Sequence, residues 1–145
     1  MRFMKNETIL ITDQELIRLA FSAMEKAYAP YSDCKVGAAL LSKSGKVYLG
    51  CNIENAAFSP TVCAERTAFF KAISEGEHAF QKLAVVGGKG GEVVDYFVPC
   101  GVCRQVMSEF CDDDFLVIIA KTEDDYLVKT LNDLLPCRFS PQYLV

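Results

Sequence analysis

The sequence predicts an α/β protein in which a mixed five-stranded sheet lies between helices, a three-layer α-β-α fold. The predicted elements follow the order α-β-β-α-β-α-β-β-α, which is typical of a sheet with helices on both faces. The segments VGAALL, LAVVGG and FLVIIA are almost entirely apolar, and VGAALL indicates a central strand covered on both sides. No repeat, low-complexity tract or linker interrupts the chain, so we expect one domain over residues 1–145.

The first helix is predicted to begin at Thr12. The segment TDQE matches a capping box, in which Thr12 caps the helix and Glu15 reaches back to it. Apolar residues then recur at helical spacing until Pro30 ends the helix. Residues 36–50 follow as two strands joined by a Ser-Gly turn.

Two further helices contain the polar motifs. The second is predicted to start with Ser59 as its cap and Pro60 at the first helical position, and to end near Ser74. The third opens in PCGVC, directly after Pro99. The remaining strands lie in LAVVGG, FLVIIA and DYLVKT, and a short last helix lies in LNDLL.

Composition excludes several classes of protein. Hydrophobic residues make up 51% and charged residues 23% of the chain, which is typical of a globular protein and not of a disordered one. No apolar run approaches the roughly 18 residues of a membrane span, and MRFMKNETIL lacks the apolar segment of a signal peptide. The net charge is −4 and basic residues do not cluster, so we expect neither a nucleic-acid nor a membrane partner.

The seven cysteines are an odd number without an export signal, which favours reduced thiols in the cytoplasm. Cys100 and Cys103 stand three apart on one face of a helical first turn, so their thiolates can hold one metal ion. A redox dithiol or a pair of buried apolar cysteines is the alternative. Cys63 also lies at the start of a predicted helix, and if the two helix starts face each other, three sulfurs converge where helix dipoles favour thiolates.

Three protein ligands leave one position on Zn²⁺ open, as in a catalytic site. The only histidine, His78, lies in a charged loop, and we expect it at the surface. Glu65 points away from Cys63 but can reach a water in the open position, whose pKa zinc lowers to about 7, and pass on its proton. Arg66 is expected to donate hydrogen bonds to the sulfurs, with a surface position as the alternative, while for Arg104 the two roles are equally open.

CAE together with PCGVC is similar to the [HC]-x-E…P-C-x-x-C signature of zinc-dependent nucleoside and nucleobase deaminases. The segments YAPYS, VGAALL, GCNIENAAFSPTVCAERTA, PCGVCRQV and LLP resemble the small homotetrameric cytidine deaminases whose zinc ligands are all cysteines. This resemblance extends over nearly the whole chain. It implies the cytidine deaminase fold and one Zn²⁺ per subunit, bound by Cys63, Cys100 and Cys103.

The resemblance also implies a reaction. Zinc-bound hydroxide would attack C4 of cytidine or 2′-deoxycytidine, and Glu65 would carry the proton to N3 and then to the departing amine. The products would be uridine or 2′-deoxyuridine and ammonia, a step of pyrimidine salvage. Asn52 and Glu54 would hold the ribose, chiefly its 3′-hydroxyl, and the backbone of Ala64 would read the pyrimidine edge. Phe139 would enter the site of a neighbouring subunit; turn capping for Asn52 and packing on its own core for Phe139 are the alternatives.

Four other functions are less consistent with these motifs. A deaminase of the blasticidin type tends to lack the segment NIEN. An enzyme that edits polynucleotides would need a basic or aromatic strip, which this acidic chain lacks. A zinc-stabilised binding module leaves Glu65 and the open metal position unexplained. A redox protein built on Cys100 and Cys103 would lose disulfide exchange once a metal is bound.

One cysteine outside the metal-binding motif departs from the pattern of the family that the chain resembles. Cys34 stands where the family usually has a phenylalanine that lies against the pyrimidine, and Phe58 replaces a tyrosine found in many members. Cysteine offers less contact area, so we expect weaker nucleoside binding or a repacked pocket. The remaining three, Cys51, Cys111 and Cys137, are expected to be small apolar fillers.

Substituting Cys34→Phe should lower KM for cytidine, because a stacked aromatic contact contributes about 0.5–1.5 kcal/mol. Steady-state kinetics of the wild type and the variant measure this change. Cys34→Leu is the control, since it adds apolar bulk without a ring. An unchanged KM in Cys34→Phe would show that this position does not contact the base.

Overall fold

The computed structural model describes residues 10–145 and has the predicted order of elements, with an additional short 3₁₀ helix at the end. Residues 1–9, on which the prediction of no signal peptide mainly rests, lie outside this range. None of the described helices has the length and apolar character needed to cross a membrane. The elements are α1 (Asp13–Met24), β1 (Cys34–Ser42), β2 (Val47–Cys51), α2 (Ala64–Ser74), β3 (Phe80–Lys89), α3 (Gly101–Phe110), β4 (Leu116–Ala120), β5 (Tyr126–Thr130), α4 (Leu131–Leu134) and the 3₁₀ helix Pro141–Tyr143.

The five strands form one sheet in the order β2-β1-β3-β4-β5. Strands β1 and β2, β1 and β3, and β4 and β5 are antiparallel, whereas β3 and β4 are parallel. The parallel pair requires a crossover, and α3 provides it. The predicted mixed five-stranded sheet is therefore confirmed.

Both faces of the three inner strands are covered, because successive side chains of a strand point to opposite faces. On one face, Ala39 and Leu41 of β1 pack in a core with α1. On the other face, Ala38 and Leu40 belong to a second core with α2 and α3. The prediction that VGAALL is a central, doubly covered strand is thus correct. The second core also shows that α2 and α3, the two helices with the metal-binding cysteines, lie in the same layer.

Two glycines let the helices approach the sheet closely. A Cβ on Gly37 would lie 2.0 Å from the carbonyl oxygen of Ala20 in α1. A Cβ on Gly50 would lie 2.3 Å from the carbonyl oxygen of Ala64 and 2.6 Å from the backbone nitrogen of Ala68, both in α2. Any larger residue at Gly50 would therefore displace the first turn of α2, which contains Glu65.

The start of α1 agrees with the sequence and the start of α2 does not. Thr12 and Glu15 form both hydrogen bonds of the capping box, at 3.1 and 3.0 Å. The prediction that Ser59 caps α2 with Pro60 inside it is wrong, because the helix begins at Ala64 with Cys63 as its N-cap.

Long-range backbone pairing explains that difference. Val62 exchanges two hydrogen bonds of 3.0 Å with Ile53, which keeps the chain extended until Cys63. Ile53 also forms a parallel bridge with Tyr28, and this pairing helps to explain why α1 ends at Met24, well before Pro30. The three extended segments form a small ladder beside the sheet.

Candidate active site

Three sulfur atoms meet where α2 and α3 begin. Cys63 Sγ lies 3.7 Å from Cys100 Sγ, and Cys100 Sγ lies 3.5 Å from Cys103 Sγ. All three sulfurs are within 4.8 Å of one another, and they form the only group of three or more potential ligands within residues 10–145. The convergence of three thiols, which the sequence made conditional on two facing helix starts, is present in the structure.

The helix starts present these thiols in the same way. Cys63 is the N-cap of α2 and Cys100 is the N-cap of α3, both with extended backbones and neither with a side-chain capping hydrogen bond. Cys103 follows on the first turn of α3 and is buried. The first N–H groups of a helix have no acceptor within it, and its N-terminus carries a partial positive charge. Both helices therefore favour negative charge at this point.

The spacing and chemistry of the three thiols fit a zinc ion. With Zn–S distances of about 2.3 Å, tetrahedral geometry places ligand sulfurs about 3.8 Å apart, close to the two separations measured here. Without a metal, the hydrogen bond from the Cys103 thiol and the guanidinium of Arg66 lower the pKa of Cys63 to about 5. The pKa of Cys103 is raised, first by its hydrogen bond to Cys63 and then by burial. A divalent cation would take the place of the shared proton and allow all three sulfurs to be thiolates.

Glu65 lies beside the cluster and is only 3% exposed. Its Oε2 atom lies 3.6 Å from Cys103 Sγ, whose single thiol hydrogen can be donated either to this carboxylate or to Cys63. Burial raises the pKa of the Glu65 carboxyl to about 7, and the negative charge of Cys63 adds to this effect. The carboxyl group is thus poised to gain and lose a proton near neutral pH.

The two arginines that follow cysteines have different contacts. Arg66 Nη2 donates to Cys63 Sγ at 3.4 Å, as predicted, while its buried Nε has no hydrogen-bond partner within residues 10–145. Arg104 instead donates to the carbonyl oxygens of Pro99 and Leu134, at 2.8 and 2.6 Å. It therefore braces the turn before Cys100 against the end of α4, and it donates to no sulfur within the described range.

Asn52 and Glu54 lie in the loop after β2 and are already held by the backbone. Asn52 Nδ2 donates to the Cys34 carbonyl at 2.7 Å, and Asn52 Oδ1 accepts from the Val36 N–H at 2.9 Å. These bonds reach residues 16 and 18 positions away on β1, so Asn52 fastens its loop to the sheet instead of capping a local turn, as the alternative had it. Glu54 Oε1 accepts from the N–H groups of residues 31 and 32, and Glu54 Oε2 accepts from the Ser32 hydroxyl.

Ala64 and Phe139, the other two residues predicted to contact the substrate, lie in different parts of the structure. Ala64 is the first residue of α2 and is fully buried in the single chain. Phe139 is not joined to the cysteines by any hydrogen bond or ring contact in the described part of the chain. Its carbonyl accepts from Gln105 and Ser108 on α3, and its ring stacks on Tyr143 at 5.4 Å.

Sequence reasoning missed the contacts of Ser32. This residue belongs to the segment YAPYS, but no spacing rule connects it with Glu54, which is 22 positions away.

The histidine and the cysteines outside the cluster were predicted to be a surface residue and apolar fillers. His78 is exposed as expected, and burial raises the pKa of the Cys111 thiol to about 12, in keeping with a filler. Cys137 is exposed, so its prediction as a filler is wrong.

Comparisons with known proteins agree with this geometry. Residues 10–119 match the family model described as the cytidine and deoxycytidylate deaminase zinc-binding region. A cytidine deaminase of Sporosarcina psychrophila is 49% identical over 131 residues, which are 90% of this chain and 93% of that protein. The 1.6 Å crystal structure of cytidine deaminase from Burkholderia pseudomallei superposes with a TM-score of 0.82 at 46% identity, covering 89% of this chain and 100% of the other. A blasticidin-S deaminase of Bacillus cereus is 33% identical over 94% of this chain and 99% of its own.

Each of Cys63→Ala, Cys100→Ala and Cys103→Ala should reduce bound zinc from about one ion per chain to a small fraction, since the site would keep only two ligands. Metal analysis after dialysis against a weak chelator measures the ratio. Cys137→Ala is the control, because this exposed thiol lies outside the cluster and its loss should leave zinc content unchanged. Full zinc in any of the three variants would contradict the ligand set.

Proposed function

The chain belongs to the cytidine and deoxycytidylate deaminase family and is a zinc-dependent hydrolytic deaminase, and from this premise we propose that it converts cytidine and 2′-deoxycytidine to uridine and 2′-deoxyuridine. The observation that carries the proposal is the buried carboxyl group of Glu65, 3.6 Å from the sulfur of Cys103 in a three-thiol cluster. A deaminase with a three-thiol metal site and a buried carboxyl group beside it can bring a water and a proton carrier to C4 of the pyrimidine. We place the reaction in pyrimidine salvage.

The zinc ion would be held by Cys63, Cys100 and Cys103. The guanidinium of Arg66 would partly neutralise the negative charge of the Cys63 thiolate. Zinc bound there supplies Lewis acidity, which lowers the pKa of a water to about 7. Glu65 would accept one proton of a water at the cluster, deliver it to N3 of the pyrimidine as the water oxygen adds to C4, and then carry the second proton of that oxygen to the amino group as the C4–N bond breaks. The amine leaves as ammonia, so one water is consumed for each nucleoside. Burial, which raises the pKa of the Glu65 carboxyl, suits a group that must first accept and then release a proton.

Asn52 and Glu54 would bind the ribose through its 3′-hydroxyl. An amide and a carboxylate together can donate to and accept from a single hydroxyl group. The backbone of Ala64 would bind the edge of the pyrimidine, since the first N–H groups of a helix lack intrahelical acceptors. This arrangement favours a nucleoside with a ribose or 2′-deoxyribose ring over blasticidin S, and deamination of blasticidin S but not of cytidine would contradict it.

We also propose that the enzyme works in the cytoplasm as one catalytic domain over residues 1–145. All seven cysteines are free thiols, and such thiols persist in a reducing compartment. Structural elements from both halves of the chain build the site, since β2 leads to Asn52 and α3 contains Cys103.

Glu65→Ala should reduce kcat for cytidine by about 10²- to 10⁴-fold, the usual contribution of a general acid–base group, while zinc content stays full. Loss of the ultraviolet absorbance of cytidine measures the rate. Glu75→Ala, at the exposed end of the same helix, is the matched control and should retain wild-type activity. Activity retained in zinc-loaded Glu65→Ala would overturn the mechanism.

A homotetramer with shared active sites is the assembly we propose. Several large apolar side chains near the cysteine-bearing helix starts or in the C-terminal segment are exposed in the single chain: Phe58 is 85%, Phe139 58% and Val102 57% exposed. Burial of such side chains between subunits would be favourable. In this assembly, α3 of one subunit would hold the backbone of Phe139 while its ring reaches the neighbouring site.

Mixing two inactive or weakened variants tests the shared site. Phe139→Ala should lower kcat/KM by about two- to tenfold, as expected for one aromatic contact, and Glu65→Ala should be nearly inactive. Subunits of both variants, unfolded together and refolded, should give more activity than the two parents refolded separately, because some sites then have both residues intact. Sedimentation should show four times the 16.1 kDa chain mass. A monomer, or strictly additive activity, would contradict the proposal.

A further inference from the structure

A chain of hydrogen bonds connects the two residues proposed to bind the ribose. Asn52 Nδ2 donates to the Cys34 carbonyl at 2.7 Å, and the Cys34 N–H donates to Ser32 Oγ at 3.0 Å. Ser32 Oγ in turn lies 2.5 Å from Glu54 Oε2. Because the Cys34 N–H can only donate, the hydroxyl of Ser32 accepts from it and directs its own hydrogen to the Glu54 carboxylate.

Glu54 and Asn52 each have one hydrogen-bonding position left for a substrate. Glu54 Oε1 accepts from the N–H groups of Tyr31 and Ser32, at 2.9 and 3.1 Å, so both of its lone pairs are used. Glu54 Oε2 accepts only from Ser32 within the described residues and keeps one lone pair. Among the same residues, Asn52 Nδ2 donates only to the Cys34 carbonyl and keeps one N–H. One hydroxyl group that donates to Glu54 and accepts from Asn52 would satisfy both.

We propose that Ser32 is a positioning residue for substrate recognition, whose hydroxyl holds the Glu54 carboxylate in register with the Asn52 amide. The inference rests on the proposed function, in which Asn52 and Glu54 bind the ribose hydroxyl. Ser32 acts through Glu54 and does not itself contact the substrate. Its N–H and its hydroxyl bind different oxygens of the same carboxylate, which fixes the plane of that group as well as its position.

The charge state of Glu54 is consistent with this role. The Ser32 hydroxyl, followed by the backbone N–H of the same residue, holds the pKa of the Glu54 carboxyl below its usual range. The group therefore stays an acceptor for a hydroxyl. A merely local role for Ser32, shaping the turn before β1, would require only the bond from the Cys34 N–H and would give no preference among substrates.

Kinetics with cytidine and with 3′-deoxycytidine, which lacks the 3′-hydroxyl, separate positioning of Glu54 from a purely local role in the turn. Ser32→Ala should lower kcat/KM for cytidine about tenfold, because hydrogen bonds to charged groups are among the stronger ones, yet change kcat/KM for 3′-deoxycytidine less than about twofold. Ser32→Thr, which keeps the hydroxyl, should restore discrimination. Ser22→Ala is the matched control, since Ser22 Oγ donates to Leu19 on α1, on the opposite face of the sheet. In Glu54→Gln, a second change of Ser32→Ala should cost little more.

Melting temperatures establish that each variant is folded, and Ser32→Cys, which is nearly isosteric and a weak donor, replaces Ser32→Ala if the latter unfolds. An equal loss for both substrates, or no loss for cytidine, would overturn the role of Ser32 while the proposed function stands. A wild type that does not distinguish cytidine from 3′-deoxycytidine would overturn the ribose assignment and this inference together. A wild type inactive on cytidine would overturn the proposed function itself.

Discussion

Two helix N-termini that meet on the same face of one sheet are the constraint on which this molecule depends. Cys63 and Cys100 are each the last extended residue before a helix, and Cys103 returns on the first turn. Packing therefore fixes the backbone that holds each thiol, and Gly50 allows α2 to lie directly against β2. Three thiolates so close together repel one another unless a cation joins them. The packing of the layers thus brings together three thiols whose joint ionisation a cation such as zinc would stabilise, before any substrate is considered.

The ladder formed by Tyr28, Ile53 and Val62 links the metal cluster to the proposed ribose site. Its backbone bonds join the exit from α1, the loop with Asn52 and Glu54, and the entry to α2. Because the same ladder positions the Glu54 loop and leads into Cys63, the distance between the two parts of the site is set by backbone pairing. Such pairing is less easily displaced than long side chains. The residues proposed to bind the base and those proposed to bind the sugar would therefore be held at a fixed distance by this backbone ladder.

Agreement between sequence and structure is closest where the signals are local or periodic. The capping box at Thr12 and the apolar run VGAALL each specify an element through neighbours in the chain. The prediction failed at Ser59, where a good local cap competes with the pairing of Val62 and Ile53 and loses. Arg104 shows the same limit. Its spacing from Cys100, four positions, is right for a contact with sulfur, but its hydrogen bonds within residues 10–145 go to two backbone carbonyls.

The sequence by itself determined the order of the elements, the doubly covered central strand and, through CAE and PCGVC, the identity of the metal-binding cysteines as candidates. Only the tertiary structure decided that these three thiols converge within 4.8 Å and that Glu65 is buried beside them. It alone placed Ser32 between Cys34 and Glu54. The physical reason is that periodicity and capping act between near neighbours, whereas a hydrogen bond between residues 22 positions apart leaves no trace in their spacing.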